Sequence, residues 1–361
     1  MSTVLAPRDV ATLQDEHLRD VLDLHLHPKH GSPFWLKSQH ALGWDIRDRV
    51  RSVGDLRLLG TREPSELRNL SAWEFVPRGL HGKRGEFVVG ESGGTSGTPV
   101  ATVYDGDDFR EAFIMPFVEA ATHVGFPRGV PWLFLGPSGP HIIGKAAREL
   151  ARSLESPEPW TVDFDPRWAK KLGSPLASRR YLDHVVDQAC DVFAREEIGV
   201  LFATPPVLRR LSERWSDAHR DRLEAIHYGG LEVTAQGVNE FRQQFPRAVH
   251  LSGYGNTLFG CALEVAAGER TAMDYFPRGP RLIFDLDSTG IGSTPTENGR
   301  RGPVVFHRLD RSCLLVGIRE RDWAELVPPG HAATRLGWTG QGVRNPGPPV
   351  VEKPTVKSGI Y

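Results

Sequence analysis

The stretch Ser92-Gly93-Gly94-Thr95-Ser96-Gly97-Thr98-Pro99 puts three glycines and four hydroxyl residues into eight positions, directly after the strand-like run Glu86-Phe87-Val88-Val89. Glycine lets backbone N–H groups converge on an anion with no Cβ in the way, and Ser and Thr add uncharged donors. That composition suits a loop that grips phosphate. It is not a Walker loop, because it ends in Thr98-Pro99-Val100 with no lysine, and the GxGxxG of dinucleotide folds is also absent. A flexible Gly/Ser surface loop remains open on composition alone.

Two further segments carry unusual chemistry. Tyr228-Gly229-Gly230-Leu231 follows the run Leu223-Glu224-Ala225-Ile226-His227, and Ser252-Gly253-Tyr254-Gly255-Asn256-Thr257 follows Val249-His250-Leu251. Paired glycines let a flat ring lie against the backbone, a tyrosine between glycines can stack on that ring, and Thr257 can reach toward phosphate. Singly, the first reads as a turn and the second as a packed loop aromatic. Three such segments at strand ends make a nucleotide site.

The elements that must position them alternate. Strand-like runs at Glu86–Val89, Trp132–Leu135, Val200–Ala203, Ala225–Tyr228 and Ala248–Leu251 are separated by helical patterns near 108–124, 140–154, 180–197, 205–215 and 234–244. This predicts an α/β fold, a mainly parallel sheet covered by helices, whose strand carboxyl ends carry the ligand loops. A helix is predicted over 9–24, with Val10, Leu13, Leu18, Val21 and Leu22 on one side. Past about residue 258 the pattern changes to short β runs at Cys261–Ala266, Arg281–Leu286, Val304–Leu309 and Cys313–Ile318. The expected organisation is an α/β core over 1–258, a β subdomain over 259–326 that completes the nucleotide site, and a Pro/Gly-rich tail over 327–361.

With 44 basic and 45 acidic residues, net charge −1, nothing steers the chain toward nucleic acid or an anionic membrane. Three distant cysteines, Cys190, Cys261 and Cys313, form no CxxC pair, which argues against a disulfide framework or structural zinc. No apolar run approaches a membrane span, so a soluble, cytoplasmic protein is expected. His25, His27 and His30 form an HxHxxH cluster with no carboxylate or Cys pattern to complete a metal site, and read as loop histidines. GxSxG is absent and no Asp completes a triad with Ser138 and His141, which excludes the common hydrolase signature.

Taken together, residues 85 to 325 resemble the large N-terminal domain of the acyl-adenylate-forming superfamily, which includes phenylacetate-CoA ligases, acyl- and aryl-CoA synthetases and nonribosomal adenylation domains. The family's phosphate loop corresponds to Ser92 through Pro99, its adenine-cradling segment to Gly229-Gly230-Leu231, and its Y-G-x-T-E signature to Tyr254-Gly255-Asn256-Thr257-Leu258. Its ribose-binding signature resembles Ile318-Arg319-Glu320-Arg321-Asp322, with Asp322 on the ribose hydroxyls. Pro140-His141 resembles the gate beside the acyl pocket.

The resemblance implies a fold with a small distorted β-barrel beside the parallel sheets, and a reaction in which ATP and a carboxylic acid give an acyl-AMP and pyrophosphate. Its cofactors are ATP and Mg²⁺. Thr95, Ser96, Thr257 and His141 are the implied catalytic residues. The implied nucleotide contacts are Ser92, Gly93, Gly94, Thr95, Ser96, Gly97, Thr98, Gly229, Gly230, Leu231, Tyr254, Gly255, Asn256, Thr257 and Asp322, and the implied substrate pocket is His141, Tyr228 and Gly253. Expected partners are a small aromatic carboxylic acid, an acyl acceptor (coenzyme A, a carrier protein or a partner enzyme) and a second copy in a homodimer.

Two departures stand out. Leu258 occupies the position of the family's magnesium-binding glutamate and offers a cation no oxygen, leaving Mg²⁺ to the ATP phosphates, water, or a carboxylate such as Glu264 or Glu232. Only 39 residues follow Asp322, so the family's small C-terminal domain is expected to be absent, as in short adenylating proteins of phenazine antibiotic biosynthesis. An aryl or heteroaryl acid substrate follows from that likeness. The alternative is a catalytically degenerate nucleotide-binding or scaffold protein that keeps the fold.

Overall fold

In this computed structural model, which describes residues 10–92, 99–164, 166–266, 268–287, 294–296 and 299–349, the strands in chain order are β1 (Val88–Glu91), β2 (Ala101–Tyr104), β3 (Trp132–Leu135), β4 (Trp160–Val162), β5 (Val200–Ala203), β6 (Ala225–Tyr228), β7 (Val249–Asn256), β8 (Gly260–Leu263), β9 (Asp274–Tyr275), β10 (Leu282–Leu286), β11 (Thr294–Thr296), β12 (Gly299–Leu309), β13 (Leu314–Val327) and β14 (Gly342–Gly347). The chain divides into two compact units, one of residues 1–89, 100–111 and 276–343, the other of 90–99, 112–275 and 344–361. No helix among the described residues is long and apolar enough to cross a membrane.

The second of these units is built on a six-stranded sheet of order β4-β3-β5-β6-β7-β8. Every pairing from β4 to β7 is parallel. Parallel strands lie between two helical layers and need apolar side chains on both faces. Accordingly β3, β5 and β6 are buried at all four positions. Side chains alternate between the layers. Phe117 of the helix Met115–Val124 meets Trp132 at 5.8 Å and His227 at 4.8 Å on one face. On the other face Tyr228 meets Phe241 of the helix Ala235–Gln244 at 5.9 Å.

The register aligns the strand ends: Ala203 pairs with Tyr228, and Tyr228 with Ser252. Beyond Ser252, β7 runs on as a hairpin with β8, Gly253 opposite Leu263 and Asn256 opposite Gly260. Gly255 is imposed by that hairpin, because a Cβ there would sit 2.3 Å from the Gly260 carbonyl oxygen. The change of sequence character near 258 falls at this turn.

In the first unit, β10, β12 and β13 pair antiparallel, and β11 pairs with β12. The helix Val10–His25 lays Leu18, Val21 and Leu22 into a core with Trp35, Leu56, Leu309, Leu314 and Val316. Leu13, expected on that buried side, is 43% exposed. His25 is no loop histidine. Its ring is fully buried, bonded through Nδ1 to Ser32 and through Nε2 to the Asp310 carbonyl. Beside it Asp310 accepts from Arg281 Nε at 2.7 Å and Arg308 Nε at 2.5 Å, all three side chains buried. Arg308 also donates to Thr102 and to the Val103 carbonyl and lies over the Tyr104 ring. Within the stretch read as a tail, residues His331–Arg335 form a short helix and Gly342–Gly347 a strand.

Candidate functional site

The phosphate-loop candidate starts from β1, and what surrounds its first residues is built in one unit. Glu91 N–H donates to the Pro140 carbonyl at 2.9 Å, and Glu91 bridges His141 in parallel. Thr257 Oγ1 donates to the Glu91 carbonyl at 3.4 Å. Glu91 therefore ties together two sequence-distant candidates, His141 and Thr257, at the residue that precedes Ser92. Ser92 is half-buried. Gly93, Gly94, Thr95, Ser96, Gly97 and Thr98 lie outside the described residues.

Local chemistry explains how each partner is held. Ser138 is fastened by its N–H and hydroxyl to Asp163, just beyond β4, at 2.7 and 2.9 Å. His141 N–H then donates to the Ser138 carbonyl and its backbone opens the helix Ile142–Ser153, with the side chain buried. Asn256 Oδ1 accepts from Leu258 N–H at 2.8 Å and Phe259 N–H at 3.1 Å, closing an Asx turn that carries Thr257. Asn256 thus shapes the loop. Leu258, where the family's metal ligand is expected, is 5% exposed.

Gly229 follows β6, and Gly253 begins the hairpin. A Cβ on Gly229 would sit 2.7 Å from the Gly253 carbonyl oxygen, which belongs to the backbone and cannot swing aside. Gly229→Ala is therefore expected to force the β6 and β7 ends apart. Measured ATP affinity should drop by about tenfold or more if this edge cradles the purine, since a displacement of this size spoils positioned contacts. Unchanged affinity in a folded variant would sink the adenine assignment. Gly230 is exposed and Leu231 half-buried beside it. Tyr254 is half-buried, with its ring 5.8 Å from Phe259 and 5.9 Å from Tyr275. Asp322 is half-buried in β13, in the other unit.

Tyr228 requires correction. It is 0% exposed, packed between Phe241 and His250, and a side chain so enclosed touches no substrate. The neighbour that faces the other way, His227, went unremarked in the sequence. Its Nδ1 lies 2.9 Å from the Leu251 carbonyl, and burial pulls its pKa down to about 4. A period-two count from buried Tyr228 would have put His227 on the opposite face.

Of the carboxylates named for magnesium, one is committed elsewhere. Glu264, a candidate ligand, is buried and paired with Arg270 at 2.7 Å, its oxygens also accepting from Arg270 Nη2 and Ala266 N–H. Burial raises its pKa despite the guanidinium. Among the described residues no group of three His, Cys, Asp or Glu is placed to hold a metal ion.

Solved structures resemble the chain over nearly its whole length. 2-Hydroxyisobutyryl-CoA ligase in complex with 2-HIB-AMP and CoA, in the thioesterification state, is 15% identical with a TM-score of 0.64, covering 96% of this chain and 70% of that one. The same ligase in the postadenylation state with R3-HIB-AMP is 14% identical with a TM-score of 0.65, covering 99% and 74%. An open conformation of it with 2-HIB-AMP and CoA gives 14%, 0.61, 92% and 68%. No family model matches the sequence, and neither does any curated protein. At such identities the likeness establishes the fold alone, the α/β architecture of these ligase structures.

Proposed function

We propose that this chain, folded as acyl-adenylate-forming enzymes are, activates a carboxylic acid with ATP. A carboxylate oxygen attacks the α-phosphorus, the bond from that phosphorus to the bridging oxygen breaks, and pyrophosphate leaves carrying the electron pair. The substrate is an aryl or heteroaryl acid of secondary metabolism, and the acyl group passes to coenzyme A, a carrier protein or a partner enzyme.

The observation that supports this most is the joint at Glu91, which sets Pro140-His141 and Thr257 at the mouth of the glycine- and hydroxyl-rich segment. Two anions must meet in this reaction, so catalysis needs donors placed in advance rather than a general base; the acid is already ionised at neutral pH. Ser92, Thr95, Ser96 and Thr98 with the backbone of Gly93, Gly94 and Gly97 supply those donors in this reading. Thr257 turns its hydroxyl from the Glu91 carbonyl, to which it donates without nucleotide, to the α-phosphoryl oxygens, and His141 closes the acyl side. The purine lies along Gly229-Gly230-Leu231 against Tyr254, and Asp322 takes the ribose hydroxyls. Mg²⁺ would be held by the ATP phosphates and water, where it would offset the charge of the departing pyrophosphate.

Pyrophosphate exchange across benzoic, anthranilic and phenazine carboxylic acids is the test. Exchange with at least one is expected, and Asp322→Ala should weaken ATP binding by about 10- to 100-fold, the value of hydrogen bonds to a charged acceptor. A second reading, a degenerate nucleotide-binding or scaffold protein, draws on the buried apolar Leu258. ATP binding without exchange for any acid would favour it.

A further inference from the structure

Four residues on adjacent strands line up on one face of the parallel sheet near its carboxyl edge. The register pairs Phe134 with Phe202, Phe202 with His227, and His227 with Leu251. The rings of Phe134 and Phe202 are 5.0 Å apart, those of Phe202 and His227 4.4 Å, and Phe117 closes on His227 at 4.8 Å. His227 is 93% buried in this shelf, being 7% exposed.

Its protonation is fixed by its neighbours. A carbonyl oxygen only accepts, so Nδ1 must carry the hydrogen given to Leu251. Burial keeps the ring neutral near pH 7. Nε2 is then a bare lone pair, an acceptor, and it makes no hydrogen bond to the described residues. A ligand that covers Nε2 without offering it a donor takes away its water and gives no hydrogen bond in return. Gly253 leaves it accessible: a Cβ there would lie 3.3 Å from His227 Cε1 and 3.9 Å from Nε2. The first glycine of Gly253-Tyr254-Gly255 thus uncovers the imidazole edge.

We infer that His227 Nε2, at the end of the Phe134–Phe202 shelf and uncovered by Gly253, selects an aromatic acid bearing a hydrogen-bond donor, a phenolic hydroxyl or an arylamine, on its ring. This rests on the acid-activating reading and names its substrate class. Selectivity of this kind runs one way. An acid lacking the donor leaves Nε2 unpaired on binding, whereas a donor-bearing acid satisfies it, and buried polar groups discriminate more strongly than added methylenes do.

The test is equilibrium binding by calorimetry of benzoate, of 2-, 3- and 4-hydroxybenzoate and of anthranilate, together with the ¹⁵N resonance of His227 Nε2. At least one donor-bearing acid should bind about tenfold or more tightly than benzoate and shift the Nε2 resonance. His227→Phe, which keeps a flat ring but removes the acceptor, should bring that ratio within about twofold by weakening the donor-bearing acid and tightening benzoate, and His227→Gln should restore part of it through its amide oxygen. Circular dichroism checks that each variant is folded. Benzoate binding as tightly as every donor-bearing acid, a ratio unchanged in His227→Phe, or no binding by any acid would each overturn the inference. Selective binding without pyrophosphate exchange would leave it standing and sink the proposed reaction instead.

Discussion

Asp310→Asn is expected to destabilise the protein by about 3–5 kcal/mol, because it strips the countercharge from two buried guanidinium groups at once. Arg281 and Arg308 both close on this carboxylate at less than 3 Å with side chains no more than 8% exposed. The pair of arginines holds Asp310 ionised, its pKa drawn below the usual carboxylate value against the penalty of burial. Asparagine keeps the shape and one acceptor, so the loss isolates the charge. The surface pair Arg128–Glu155, 2.6 Å apart but 46% and 72% exposed, is the control: Glu155→Gln should cost no more than about 1 kcal/mol. Urea denaturation of both variants decides the matter. A change at Asp310 of under about 1 kcal/mol would mean the triad is no more than a surface pair in effect. Asp310 sits in the turn where Leu309 pairs with Leu314 and β13 begins its course to Asp322, the residue proposed above for the ribose.

That triad was invisible in the sequence. Arg281 precedes β10, Arg308 lies in β12 and Asp310 in the turn after it, and nothing in local spacing marks three charged residues as a buried set rather than a solvated one. What was legible follows from short-range rules. β3, β5 and β6 match their expected bounds residue for residue, because parallel strands buried on both faces read as unbroken apolar runs between helical patterns. Of the three glycine-bearing segments, Gly229-Gly230-Leu231 lies just past β6, whereas Ser252–Asn256 runs inside β7, which continues past its parallel partner to pair with β8. Their glycines carry two meanings that spacing cannot separate: Gly229 and Gly255 are required by backbone that approaches within 3 Å, whatever ligand is bound. Tyr228 was misjudged because tyrosine beside paired glycines suggests stacking, while facing is set by parity along the strand. His227 was passed over because a lone histidine in an apolar run reads as core, and its open Nε2 depends on Gly253, 26 residues away in sequence.

Acid should unfold this protein steeply between pH 6.5 and 4. His25, His227, His250 and His307 are buried, and desolvation lowers each pKa from 6.5 to about 4. In that window the unfolded chain binds protons that the folded chain refuses, so stability is complete above pH 6.5 and is lost as pH falls toward 4. Each imidazole accounts for about 3 kcal/mol over the full span, or up to about 1.4 kcal/mol per pH unit. Asp108 works in the opposite direction. Burial and the Asp310 charge push it up to about 6, so the folded state holds its proton where the unfolded state has released it, and falling pH adds stability through this group. The signs therefore separate two substitutions. His250→Gln should flatten the pH dependence by about one proton, and Asp108→Asn should steepen it by about one. Chemical denaturation at half-unit steps from pH 7 to 4.5 reads both slopes. Stability that is flat from pH 6.5 to 5, or two variants that shift the slope in the same direction, would show that these side chains are hydrated in solution.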